Sequence, residues 1–96
     1  MTLVADRGGV ATDIEGRIKE LLVSRLRISA ETLAGSDGTT CLLGRGIGID
    51  SIEALTLATA IEEEFRIEVD DGDLTRALFE TIGSVVEYVR RRTEGR

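Results

Sequence analysis

Ile14, Ile18, Leu21, Leu22 and Leu26 recur every three or four residues, with Glu15, Arg17, Lys19 and Glu20 between them. That period predicts an amphipathic helix of about three to four turns. Thr12 or Asp13 can cap its start, because a short oxygen-bearing side chain accepts from the free N–H groups of a first turn. The pattern fades at Arg27-Ile28-Ser29. A second periodic stretch starts at Asp50-Ser51, and Ile52, Leu55, Ala58, Ile61 and Phe65, with Leu57 beside them, form its expected buried stripe. A last one follows Thr81, itself a capping residue, and packs Ile82, Val85, Val86 and Val89 with Tyr88 alongside.

The segments between these helices read differently. Ser29 to Asp50 is a long loop in which Ala30-Glu31-Thr32-Leu33 can make one helical turn. Gly35, Ser36, Asp37, Gly38, Thr39 and Thr40 are turn formers, and glycines follow at 44, 46 and 48. Loops this long in a small domain usually serve function. Leu33, Leu42, Leu43 and Ile47 are expected to pin this one across a helical core. Arg66-Ile67-Glu68-Val69 alternates like a strand but has no second strand to pair with, so it reads as an extended linker. Asp70, Asp71 or Asp73 can cap a short third helix ending near Leu78-Phe79. The expected fold is all-α, a small bundle of four helices with a long loop between the first two. Residues 1–12, with Gly8-Gly9, are expected to form a flexible arm, 13–90 the domain and 91–96 a basic tail.

Composition narrows the function. Ninety-six residues make one domain, and 42% apolar with 31% charged residues is globular. Aromatics are only 3%, which disfavours folds that stack bases. With no histidine, Ser-His-Asp and Cys-His catalysis and histidine metal ligation are excluded. One cysteine, Cys41, excludes an intramolecular disulfide and a multi-cysteine zinc site, and no metal site is expected. Cys41 lies in an apolar run and is expected to be a small buried hydrophobe. No apolar run reaches membrane-spanning length, and Met1 to Asp13 lack a signal-peptide layout, so the expectation is a cytoplasmic monomer without a membrane partner.

The net charge is −6, but its distribution says more. From Asp50 to Asp73 nine acids stand against one base, Arg66. Such a segment repels nucleic acid and suits protein partners with basic patches. Glu62, Glu63 and Glu64 sit at the C-terminal end of the second long helix, where carboxylates oppose the dipole. Helix stability alone does not select that placement. Arg90, Arg91 and Arg92, by contrast, suit the end of the last helix.

Gly44-Arg45-Gly46-Ile47-Gly48-Ile49-Asp50-Ser51 is the most informative run. A glycine-rich approach to a helix can cradle phosphate, since free N–H groups and the dipole converge there. A P-loop needs Lys-Ser/Thr after its glycines, and this chain has Asp50-Ser51. A dinucleotide fingerprint needs a preceding strand, and none is expected. The plain structural reading is a cap, with Asp50 at the N-cap and Glu53 completing a box. That cap projects the Ser51 hydroxyl at the positive end of the helix.

Gly48-Ile49-Asp50-Ser51-Ile52-Glu53, continued through Ile61-Glu62-Glu63-Glu64-Phe65-Arg66-Ile67-Glu68-Val69, resembles acyl carrier protein. The resemblance covers roughly Asp13 to Val89, with the long loop and helices in order, and implies a helical bundle of acyl-carrier type. It implies that Ser51 receives 4′-phosphopantetheine from coenzyme A and that Asp50 helps the phosphopantetheinyl transferase dock and hold its metal. Ile52, Glu53, Glu62 and Glu63 match partner-facing positions, for acyl-transferring and condensing enzymes. An acyl chain held as a thioester is expected to fold back against Leu55, Ala58 and Ile61. The protein is then a scaffold rather than an enzyme. Gly46 stands where the family often has Asp, and Thr56 and Thr59 replace residues often acidic and apolar on the recognition face. Those departures bear on partner identity. The lengthened stretch around Leu74 to Phe79, the arginine tail and the extended N-terminus are unlike a housekeeping fatty-acid carrier, and the expectation is a carrier of polyketide or related specialised or fatty-acid biosynthesis. The contrasting reading of the same residues is an unmodified acidic adaptor that docks basic partners.

Overall fold

The computed structural model describes residues 10–94, with side chains from Asp13 onward. Four α-helices follow one another: α1 (Val10–Leu26), the one-turn α2 (Ala30–Leu33), α3 (Ser51–Phe65) and α4 (Ile82–Glu94). A single 3-10 turn at Asp71–Asp73 lies between α3 and α4, and the described residues contain no strand. The all-α fold is therefore present.

Helix α1 packs on both α3 and α4. Ile14, Ile18, Leu21, Leu22 and Leu26 are all buried, so the stripe read from their spacing is the one that enters the core. Within the described residues the helix already runs at Val10, ahead of Thr12 and Asp13. A residue able to cap need not do so when Ala11, a strong helix former, precedes it. Most of the expected arm, residues 1–9, lies outside the described residues. At the other end α4 continues through Arg91 and Arg92 to Glu94, so the expected tail begins inside a helix. Arg90 pairs with Glu87 and Glu94, and Arg92 with Asp70 at 3.7 Å and Asp73 at 3.9 Å.

Thr81 caps α4 as expected. Its hydroxyl accepts from Ser84 N–H at 3.0 Å, while the Ser84 hydroxyl accepts from Thr81 N–H at 3.1 Å. The long loop is stitched to this cap. Leu42 N–H donates to Glu80, Ile82 N–H to Thr40 and Gly83 N–H to Gly38. A Cβ at Gly83 would stand 2.6 Å from the Gly38 carbonyl oxygen, so the close approach requires glycine. Leu33, Leu42 and Ile49 are buried, and Leu43 and Ile47 pack partly against the core. The loop is pinned by apolar residues, as its composition predicts.

Two further expectations fail here. The third helix does not form beyond its one 3-10 turn. Asp70-Asp71-Gly72-Asp73 combines poor helix formers with crowded like charges, and Asp70 makes no side-chain cap bond. Asp73 instead accepts the Tyr88 hydroxyl at 2.8 Å. Burial and that hydrogen bond to a carboxylate raise the Tyr88 phenol above its ordinary pKa. Cys41 is exposed rather than buried. Leu42 takes the inward position, and extended backbone turns its neighbour outward.

Candidate functional site

The start of α3 is closed by a complete capping box. Asp50 Oδ1 accepts from Glu53 N–H at 2.8 Å, and Glu53 Oε1 accepts from Asp50 N–H at 3.0 Å. The chain reaches this cap through a tight loop. Ile47 N–H donates to Cys41, and the N–H groups of Gly48 and Ile49 both donate to Leu42. Gly48 has φ +86°, a conformation suited to glycine. A Cβ at Gly46 would lie 1.9 Å from the Cys41 carbonyl oxygen, so an aspartate does not fit this backbone. The departure at this position is thus a property of the loop path.

The box fixes Ser51 as the first helical residue, exposed, with no described residue hydrogen-bonded to its hydroxyl. The first-turn N–H groups beside it favour negative charge. Ser51 opens on a cavity of about 480 Å³ lined also by Leu43, Ile49, Ala54, Leu55, Leu74 and Phe79, with Asp50, Thr75 and Arg76 as its charged and hydroxyl groups. That volume is within the range of small-ligand sites, roughly 300–1,000 Å³.

Along α3 the buried residues are Ala54, Leu57, Ala58, Ala60, Ile61 and Phe65. Ile52 is 73% exposed and Leu55 52% exposed, so neither belongs to the core stripe expected of them. The alanines explain the shift. Small side chains at 54, 58 and 60 let α3 approach its neighbours on their face, which turns Ile52 and Leu55 outward. Of the residues expected to line an acyl chain, Leu55 does line the cavity. Ala58 and Ile61 are buried in the core and are not part of that lining.

The three glutamates at the far end of α3 are engaged within the molecule. Glu62 Oε2 accepts from Val69 N–H at 2.8 Å, which holds the extended linker. Glu63 pairs with Arg25 at 2.7 Å and Glu64 with Arg17 at 2.7 Å. The Arg17 guanidinium also lies 4.5 Å from the centre of the Phe65 ring. Asp50, Ser51, Ile52, Glu53 and Leu55 thus gather at one end of α3, and Glu62 and Glu63 at the other.

The sequence reading missed Leu43, Ile49, Leu74, Thr75, Arg76 and Phe79 as neighbours of Ser51. Leu74 and Phe79 carried an apolar signal within the expected third helix. Arg76 carried none, since its place depends on how residues 74–80 turn.

The geometry fits a phosphopantetheine group: a solvent-facing hydroxyl without a competing hydrogen bond, at a positive helix end, beside apolar space. Residues 16–89 match the family described as "Phosphopantetheine attachment site". The chain is 30% identical over 80 residues to an acyl carrier protein of Sinorhizobium fredii, an alignment covering 83% of this chain and 95% of that protein. The same identity and coverage hold for the acyl carrier protein AcpP of Rhizobium meliloti. An acyl carrier protein of Clostridium perfringens is 31% identical over 78 residues, 81% of this chain and 95% of its own length. With the match spanning most of the domain, the chain belongs to the acyl carrier protein family, whose members bear a phosphopantetheine attachment site and act as carriers rather than enzymes.

Proposed function

We propose that Ser51 is the attachment residue and that the protein carries acyl intermediates of polyketide or related specialised or fatty-acid biosynthesis as thioesters on its 4′-phosphopantetheine arm. One observation carries the assignment: the unengaged Ser51 hydroxyl, set by a full capping box at the start of α3 and opening on an apolar cavity. When bound, the arm supplies a terminal thiol that holds acyl groups in activated form. Asp50 and Glu53 orient the serine by closing the cap around it. Ile52 and Leu55 present apolar surface next to it, and with Asp50 and Glu53 they form the surface read by the transferase and by acyl-transferring and condensing enzymes, with the exposed Glu63 at the far end of α3 as a second contact for those partners. Leu55 and the cavity walls shelter the start of an acyl chain.

Incubation with coenzyme A, Mg²⁺ and a broad-specificity phosphopantetheinyl transferase is expected to add one arm by intact mass, mapped to Ser51. Ser51→Ala is expected to take none while keeping its thermal midpoint, because Asp50 still caps α3. An unmodified wild-type chain with several active transferases would favour the acidic adaptor. Modification at Ser36 or Ser84 would overturn the assignment of Ser51.

A further inference from the structure

The first turn of α3 gathers negative charge. Asp50 and Glu53 are both there, each accepting a backbone N–H from the other. Ser51, once esterified to phosphate, becomes a third anionic position within the same turn. The helix dipole offsets only about half a unit charge at this end, and the Glu53 N–H already serves Asp50.

The cavity beside Ser51 contains one cation among its lining residues, Arg76. Arg76 is exposed, and no described residue forms an ion pair or hydrogen bond with its side chain. Arg17, Arg25, Arg90, Arg91 and Arg92 all have carboxylate partners; Arg27 and Arg45 have none among the described residues, but neither lines the cavity. The segment that carries Arg76 is fastened on both sides. Asp73 accepts the Tyr88 hydroxyl at 2.8 Å, and the Leu78 carbonyl accepts the Ser84 hydroxyl at 2.6 Å. Between these points Leu78 N–H closes a turn on the Thr75 carbonyl at 3.1 Å. The strap from Leu74 to Phe79 therefore holds a cation on the same cavity as the serine.

We propose that Arg76 is the counter-ion of the phosphodiester on Ser51, a positioning residue that holds the root of the arm at the cavity mouth. This rests on Ser51 being the attachment residue. A guanidinium suits the task because its planar fork donates two hydrogen bonds to a phosphate. Anchoring the root here keeps the arm beside Leu55, Leu74 and Phe79, the walls that shelter cargo.

The test compares wild type, Arg76→Gln and Arg76→Lys, each loaded to the holo form and checked by intact mass. In wild type the ³¹P resonance of the phosphodiester is expected to differ from that of Arg76→Gln. The Arg76 side-chain Nε–H resonance is expected to shift between apo and holo protein. Both differences should shrink in about 1 M NaCl, where the Debye length falls to about 3 Å. Arg76→Lys should restore the ³¹P position in part, as a point charge without the fork. The apo forms of wild type and Arg76→Gln should share one thermal midpoint, which excludes a merely structural role. Fully loaded wild type and Arg76→Gln with the same ³¹P resonance would overturn the contact while leaving Ser51 in place. A response of Arg76 only after loading an oxygenated acyl group would overturn it too, by moving its ligand to the cargo. If no arm is added to wild type, the mass spectrum overturns the Ser51 assignment and this proposal together.

Discussion

The two ends of α3 are built from the same materials, carboxylates beside apolar residues, and put them to opposite uses. At the C-terminal end Glu62 holds the linker at Val69, Glu63 and Glu64 reach arginines of α1, and Phe65 is buried under Arg17. At the N-terminal end Asp50 and Glu53 close on each other, and Ile52, Leu55 and Ser51 are left facing solvent. A carboxylate run against a helix dipole looks like a docking surface in sequence. In the folded chain it clasps α3 to α1 and to the linker, which supplies a stability reason for an otherwise unfavourable placement. Exposed large apolar side chains next to a free hydroxyl have no such internal reason. The difference teaches that function is marked by what a fold leaves unengaged.

The sharpest way to break this contrast uses two leucines of the same helix. Leu57 is fully buried and Leu55 is half exposed. Leu57→Ala is expected to cost about 2–5 kcal/mol through lost burial and a residual cavity. Leu55→Ala should stay within about 0.5 kcal/mol, as surface changes usually do. Denaturant midpoints at constant slope measure both. Equal losses would mean that the outward face is packed after all. In transferase assays the order should invert, with Leu55→Ala the slower substrate relative to its stability.

A second comparison sets one carboxylate from each end against the other. Glu62→Ala removes the partner of the Val69 N–H beside a buried side chain, at about 1–3 kcal/mol. Asp50→Ala removes the cap, at about 1 kcal/mol. Loading at Ser51 should separate them: Glu62→Ala loads at close to the wild-type rate once folded, and Asp50→Ala loads slowly. Slow loading by both variants would erase the distinction between the ends.

Much of this was legible before the structure. The stripes of α1 and α4, the single turn at Ala30–Leu33, the cap at Thr81 and the box at Asp50 and Glu53 follow from local spacing, and each formed as spacing demands. What was not legible depends on tertiary contacts. The face of α3 was read correctly at Leu57, Ala58, Ile61 and Phe65 and misread at Ile52 and Leu55, because alanines count little in an apolar pattern yet pack closest. The third helix was misread because Tyr88, fifteen residues away, takes Asp73 out of its capping role. Arg76 reached the site only through that unwinding. The place of Ser51 at the capped start of α3 was readable from its local motif; the cavity around it was not.

The smallest expected effect decides whether the far end of α3 has a second use. The Glu63–Arg25 pair is exposed on both sides, 60% and 42% by side chain, so Glu63→Gln should cost only about 0.2–1 kcal/mol, less at high salt. Reversing Glu62 and Glu63 together would confuse docking with the loss of the Val69 hydrogen bond, so Glu63 alone is the clean probe. If Glu63 faces partner enzymes as well as Arg25, the transferase kcat/KM of Glu63→Gln should fall at low ionic strength and converge with wild type as salt rises, since rim charges act mainly on encounter. The neutral variant also frees Arg25, which adds repulsion toward a basic partner in the same direction. A kcat/KM unchanged at low salt, alongside the small stability loss, would confine the acidic run to its internal clasp and leave partner recognition to Asp50, Ser51, Ile52, Glu53 and Leu55.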